Sequence, residues 1–360
     1  MRCITLAEAL RERGADCRFI CRDFTGNLFD RIRQSGFEVF SLPADDGTDI
    51  IDLPPEQRAL AHGYWLGVNY VIDAAQTIAA LEGYRCDWLI ADHYALDHQW
   101  EAKLRPYCER IMVIDDLADR VHDCDMLLDQ NFYQDRDRRY QELLPKQCKT
   151  LLGPSYLLLR PEFEKERQGL RVRDGLVKRM LVFFGGTDPK NQTRIVLAAL
   201  KKMNIPRIQV DVVVGHTNPN RYSIQERCDQ LPGVTYHCNV SYMAELIVNA
   251  DLGIGAGGST MWERIYLGLP TITVVCAENQ VCTTEDIAKL GAVEYLGWTD
   301  LLRVDDYERV ISKLIANPQR LTQISDAALA VVRNQSTSTV VDEIFNFERQ
   351  DSASCYSCSL

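Results

Sequence analysis

The sequence predicts an α/β protein of two Rossmann-like, doubly wound domains facing a cleft, and three observations predict it. Short apolar runs alternate with stretches of helical periodicity along nearly the whole chain. Two of those runs end in the same device, a Gly-Gly turn that opens a helix: FFGGTDPKN at 183–191 and GIGAGGST at 253–260. Between the halves lies a charged segment without a long apolar run, EFEKERQGLRVRD at 162–174. The expected division is a first domain over 1–160, a linker over 161–177, a second domain over 178–335 and a disordered polar tail over 350–360.

The elements follow in order. Ile4, Leu6, Ala7, Ala9 and Leu10 recur at helical spacing, with charge at Glu8, Arg11, Glu12 and Arg13. Gly14 ends that helix, and Cys17–Cys21 is a short buried strand. Residues 37–40, 88–91, 111–114, 126–129 and 150–152 are further strands. A helical stretch over 54–84 is interrupted by Gly63 and Gly67. The second half restarts with a strand at 178–184 and a helix from about Gln192 to Met203. Strands follow at 208–214, 234–237, 251–254 and 271–275, then helices near 307–316 and 318–332.

Bulk composition narrows the function. Of 360 residues, 46% are hydrophobic and 25% charged, the mix of a globular protein. No apolar run approaches the roughly 20 residues of a membrane helix, and no basic-then-apolar leader is present, so a cytoplasmic protein is expected. The net charge of −11 disfavours nucleic acid and anionic membrane as partners. A monomer is expected. Most of the cysteines outside the tail sit in apolar or strand-like contexts and read as small packed hydrophobes. Cys355 and Cys358 form the one close pair, in a Ser-rich tail, without the second pair or histidines a zinc site needs. No metal and no cofactor is expected.

Ligands of such folds sit at the carboxyl ends of strands. At 253–260 the glycines allow a tight turn, Ser259 is the expected N-cap, and the exposed amides of the helix start suit a diphosphate. Glu263 lies one turn on, where its carboxylate can accept from two neighbouring ribose hydroxyls; the alternative is a surface glutamate. The loop at 183–191, with Asp188-Pro189 opening its helix, gives either the opposite wall of one nucleotide pocket or a capped helix alone. In the first half, Asp92, His93 and Tyr94 end one strand, and Asp115-Asp116 ends another. A lone histidine is more often structural than catalytic. The Asp pair lacks a third metal ligand, which favours a structural or substrate-orienting role.

Taken together, MRCITLAEALRERGADCRFICRD, ADHYALD, VIDD, YLLLRPEF, FFGGTDPKN and GGSTMWERIYLGLPTITVVCAENQ resemble the UDP-2,4-diacetamido-2,4,6-trideoxy-β-L-altropyranose hydrolases. These enzymes of pseudaminic acid synthesis are similar in fold to the two-domain GT-B glycosyltransferases. The resemblance runs from Met1 to about Ala330. It implies UDP in the second domain, with Glu263 on the ribose and the amides near Gly258, Ser259 and Thr260 on the diphosphate. Gly186 and Thr187 lie across the pocket. Asn279, in an Asn-Gln pair, contacts the sugar; Arg160 contacts substrate between the domains; Tyr94 lines the sugar site. It further implies metal-free attack of water at the anomeric carbon, loss of UDP and inversion.

One departure stands out. In the family a turn of the type Gly-x-Gly-His-x-Met-Arg-Cys carries the general-base histidine. Met1, Arg2 and Cys3 match its end, so that histidine and a first strand would precede Met1. His93 and Tyr94 are then only supporting candidates, and the chain as given is expected to hydrolyse weakly or not at all. The alternatives are a GT-B glycosyltransferase and a non-catalytic nucleotide-sugar binding protein. An acetyltransferase fusion would need a longer tail than the one after Ala330.

Overall fold

The computed structural model describes residues 1–44, 53–333 and 335–355. It contains two compact units, Met1–Leu158 with Gln335–Leu360, and Leu159–Asn334.

In the first unit, β1 (Arg18–Arg22) and β2 (Glu38–Leu42) form a two-stranded parallel sheet. A separate four-stranded parallel sheet has the order β3 (Cys86–Ala91), β4 (Cys108–Ile114), β5 (Met126–Asp129), β6 (Lys149–Leu152). β5 is buried at every position, as in a parallel strand covered on both faces. The opening helix, Arg2–Glu12, serves both sheets. Leu6 and Leu10 pack with Met112, Ile114, Met126 and Leu128, whereas Ile4 and Ala7 pack with Ile32 and Phe37. Thr337–Cys355, a helix absent from the sequence reading, adds Val340, Val341 and Ile344 to the first of these clusters. The chain after 335 therefore belongs to the first unit. The 350–360 tail read as disordered is helical through Cys355; the side chain of Cys355 and all of Cys358 lie outside the described residues.

The second unit is a six-stranded, all-parallel sheet with helices between its strands. Its strands are β7 (Arg179–Phe183), β8 (Gln209–Val214), β9 (Val234–Cys238), β10 (Leu252–Ala256), β11 (Thr271–Val275) and β12 (Glu294–Trp298), in the order β12-β11-β10-β7-β8-β9. The break in that order between β7 and β10 is where a doubly wound sheet opens a crevice for ligand. β10 and β11 are buried throughout. β12 escapes the sequence reading because its residues, EYLGW, are all half-buried and show no alternation.

The segment 161–177, expected as a linker, is instead part of the second unit. Pro161–Arg167 is a helix with Phe163 fully buried. Arg173 is buried as well, and its guanidinium donates to the carbonyls of Ile247, Ala250, Leu267 and Gly268. A buried cation among carbonyls at helix C-termini is well satisfied, which is why so charged a stretch can pack.

Candidate nucleotide-sugar site

The two glycine loops leave neighbouring strands. In the β10–β7 register Gly255 is opposite Phe183, so GGTDPKN and GAGGST start side by side at the carboxyl edge of one sheet.

After β10 the chain turns at Gly258, whose φ of 78° is in the region that favours glycine. Here the structure corrects the sequence. Gly258, not Ser259, is the N-cap of the helix Ser259–Tyr266, and no side chain caps that end. The positive φ puts glycine at the boundary and moves Ser259 into the first turn. A helix start that no side chain caps suits an external anion.

The loop is braced from below by a residue the sequence did not single out. Arg264 is 1% exposed; its Nη2 donates to the Ala256 carbonyl at 2.6 Å and its Nη1 to Thr260 Oγ1 at 3.3 Å. Burial lowers its pKa to about 10, with Glu263 pulling the other way. From above, Gln280 accepts from the Cys276 amide at 3.0 Å, and its side chain lies over Gly257 and Gly258. Asn279 precedes it in the short helical turn Glu278–Gln280.

Glu263 and Arg160 come together. Arg160 Nη2 is 3.4 Å from Glu263 Oε1 and its Nη1 is 2.7 Å from Glu162. Burial pushes the Glu263 carboxyl up, while Arg160 and Arg264 pull it down. The expected ribose acceptor is thus a largely buried carboxylate with cations on either side, not a solvated surface glutamate.

On the β7 side, Gly186 and Thr187 are exposed in the loop. Asp188, with φ 41°, is buried and accepts from the amides of Gln192 and Thr193, both at 2.9 Å, and from Thr193 Oγ1 at 2.7 Å. Its role is to cap the helix Gln192–Met203 and fix the loop.

The first unit gathers its own polar cluster at the carboxyl ends of β3, β4 and β5. Arg2 holds Asp92 through Nε and Nη2, at 3.1 and 2.6 Å, and lies 3.6 Å from Asp116. Burial would raise the Asp92 carboxyl, but Arg2 keeps it below the usual range. For Asp116 burial wins over Arg2 and the Tyr94 hydroxyl, and its carboxyl is raised. Tyr94, hydrogen-bonded to Asp116, is pushed above the ordinary phenol range by burial and by that neighbour. It is a neutral donor at pH 7. His93 accepts from the Ala95 amide at Nδ1, 3.1 Å, and burial lowers its pKa. Its free lone pair is thereby occupied, so neither residue is a ready general base.

Two further buried pairs were not legible. Glu101 meets His122 at 2.6 Å in the interior. Asp129 accepts from the Asn131 amide and the Tyr140 hydroxyl, both at 3.0 Å, and burial raises its pKa to about 7. The folded pKa exceeds the unfolded one, so this group's contribution to stability is fully present below the unfolded pKa near 4 and is lost as pH rises through about 7. Asp129→Asn, which mimics the protonated form, is expected to match the parent only below about pH 4 and to be already somewhat more stable at pH 5. At pH 8.5 it is expected to be more stable by roughly 1–3 kcal/mol, measured by urea denaturation at each value.

Comparison with known proteins agrees with this architecture. Residues 180–341 match the glycosyltransferase family 28 C-terminal domain. The chain is 24% identical over 289 residues to the UDP-2,4-diacetamido-2,4,6-trideoxy-beta-L-altropyranose hydrolase of Campylobacter jejuni, covering 79% of this chain and 91% of that protein. It is 30% identical over 172 residues to the spore coat polysaccharide biosynthesis protein SpsG of Bacillus subtilis, spanning 47% of this chain and only 50% of that one. Among solved structures, MurG of Acinetobacter baumannii superposes with a TM-score of 0.63 at 14% identity, over 96% of this chain and 95% of that chain, a likeness of fold. Among the described residues, no helix is long and apolar enough to cross a membrane. The chain therefore has the GT-B fold, matches the glycosyltransferase family 28 C-terminal domain over residues 180–341, and resembles the UDP-diacetamido-trideoxy-altropyranose hydrolases.

Proposed function

We propose that this protein binds UDP-2,4-diacetamido-2,4,6-trideoxy-β-L-altropyranose and hydrolyses it to UDP and the free sugar, as a monomer in the cytoplasm. The observation that carries the reading is the glycine loop of β10. Its helix start has no side-chain cap, Arg264 braces it, and the largely buried Glu263 lies one turn away.

In this reading the diphosphate takes the amides around Gly258, Ser259 and Thr260, with Gly186 and Thr187 on its other side. Glu263 accepts from the ribose hydroxyls, while Arg160 and Asn279 contact substrate. Water adds to the anomeric carbon and loses its proton to bulk solvent, the bond from that carbon to the UDP oxygen breaks with its electron pair staying on the diphosphate, and configuration inverts. Negative charge grows on the diphosphate as the bond breaks, so donors fixed in place there lower the barrier. Tyr94 orients the sugar as a neutral donor; His93, its lone pair already used, supports the site structurally.

Incubating the protein with the UDP-sugar and following UDP by anion-exchange chromatography tests this; UDP and free sugar in equal amounts are expected, formed slowly because neither His93 nor Tyr94 is placed as a general base. The fold and the family 28 domain favour a second reading, glycosyl transfer. Release of UDP only when a lipid or peptide acceptor is added would replace hydrolysis with transfer. UDP binding without turnover under either condition would indicate a nucleotide-sugar binding protein.

A further inference from the structure

An aromatic cluster stands beside the polar cluster of the first unit. The 3-10 turn Gly63–Leu66 presents Tyr64 and Trp65, which are 51% and 45% exposed. Trp65 sits 4.5 Å from the ring of His62 and 5.9 Å from that of Tyr94, and His62 is 5.3 Å from Tyr94. Exposing two large aromatic side chains at adjacent positions forgoes the burial that would otherwise stabilise the fold.

The turn that holds them is fixed from beneath. Gln57, 2% exposed, donates to the carbonyls of Gly63 and Val68 at 3.0 and 2.8 Å and accepts from the Tyr70 amide at 2.9 Å. Leu66 and Val68 are buried. The aromatic surface is therefore held rigid. Its polar border is incomplete: Asp116 Oδ1 and His62 Nδ1 are both buried, and among the described residues neither has a hydrogen-bond partner. Asp116 Oδ1 is thus a vacant acceptor on the carboxylate that Tyr94 meets, and His62 Nδ1 a vacant ring nitrogen, donor or acceptor according to its tautomer, on the ring that packs against Trp65.

We infer that Trp65, with His62 and Tyr94, forms a stacking platform for a pyranose ring with one apolar face, and that Asp116 accepts from an N–H or O–H on that ring. Aromatic faces attract the polarised C–H groups of a sugar ring, and a carboxylate at the border accepts what the ring donates. A ring carrying deoxy and acetamido groups fits both halves of the surface. This rests on the nucleotide-sugar reading above and gives it a specificity element; Trp65 and His62 enter as new residues.

The test compares Trp65→Ala and Trp65→Phe with the parent by calorimetry, using the UDP-diacetamido-trideoxy sugar and UDP alone, each titrated separately. Because Trp65 is half exposed, both variants are expected to fold. Trp65→Ala is expected to weaken the UDP-sugar about tenfold and leave UDP unchanged, with Trp65→Phe within about threefold of the parent. If UDP binds and Trp65→Ala binds the UDP-sugar as tightly as the parent does, the platform is refuted and the UDP reading stands. If UDP does not bind, the UDP reading fails. The platform is then judged by the free diacetamido-trideoxy monosaccharide, whose saturation-transfer NMR signal must be present with the parent and lost with Trp65→Ala. Loss of a parent dimer in Trp65→Ala, with no change in sugar binding, would assign the surface to self-association and overturn the inference.

Discussion

Glu263→Ala is expected to weaken UDP binding between about tenfold and a hundredfold, the range for removing hydrogen bonds to a charged acceptor. The carboxylate is mostly shielded from water, so the hydroxyls it would bind meet little competition from solvent. Arg160 and Arg264 oppose the effect of burial on its charge. The substitution removes the acceptor and leaves both cations in place, so the diphosphate contacts should survive and uridine recognition should suffer. Calorimetry with UDP and with inorganic diphosphate separates the two: only UDP should weaken. Equal affinities for UDP in parent and variant would remove Glu263 from the site. Glu263→Gln, which keeps one acceptor oxygen, should lie between.

The second large effect is structural. Gly255→Ala is expected to destabilise the protein by at least ~3 kcal/mol, read from urea denaturation, because a β-carbon there has nowhere to go. It would overlap the Phe183 carbonyl of the adjoining strand and lie 2.8 Å from Arg264 Nη1. Neither neighbour can give way: one is backbone in the middle of the sheet, the other a buried guanidinium already holding Ala256 and Thr260. Gly185→Ala, at φ 89° with no atom in the way, should cost less, since it strains only its own backbone. A Gly255→Ala variant as stable as the parent would mean that the loop is not braced as described.

These two residues also show what the sequence disclosed and what it hid. Gly255, Gly258 and Glu263 stood out because the glycines fall after a strand and before a helix, although the same pattern also serves as a plain strand-to-helix turn. Arg264 did not. An arginine beside a glutamate on a helix reads as solvated, and the space left by Gly253 and Gly255 on the strand lets it turn inward. The parallel strands of the second half were readable because their apolar runs are continuous, as for β10 and β11. β12 was not, being half-buried along its length. The 161–177 segment misled for a related reason: charge density signals exposure, but Arg173 is buried against backbone carbonyls that no sequence pattern reveals. The return of the chain to the first unit depends on Val340, Val341 and Ile344, three residues whose partners lie more than 180 positions away. In the first unit, Tyr94 and Asp116 were visible as strand-end residues, whereas Gln57, which fixes the turn beneath Trp65, acts through contacts that no spacing encodes.

The central claim is that the helix beginning at Ser259 holds a diphosphate. Calorimetric titration with UDP, and separately with uridine, examines it directly. One UDP per chain is expected, with a Kd on the order of micromolar and at least about a hundredfold preference over uridine, because the anion supplies most of the attraction to the helix start. No heat of binding with UDP, or equal affinity for uridine, would contradict the account.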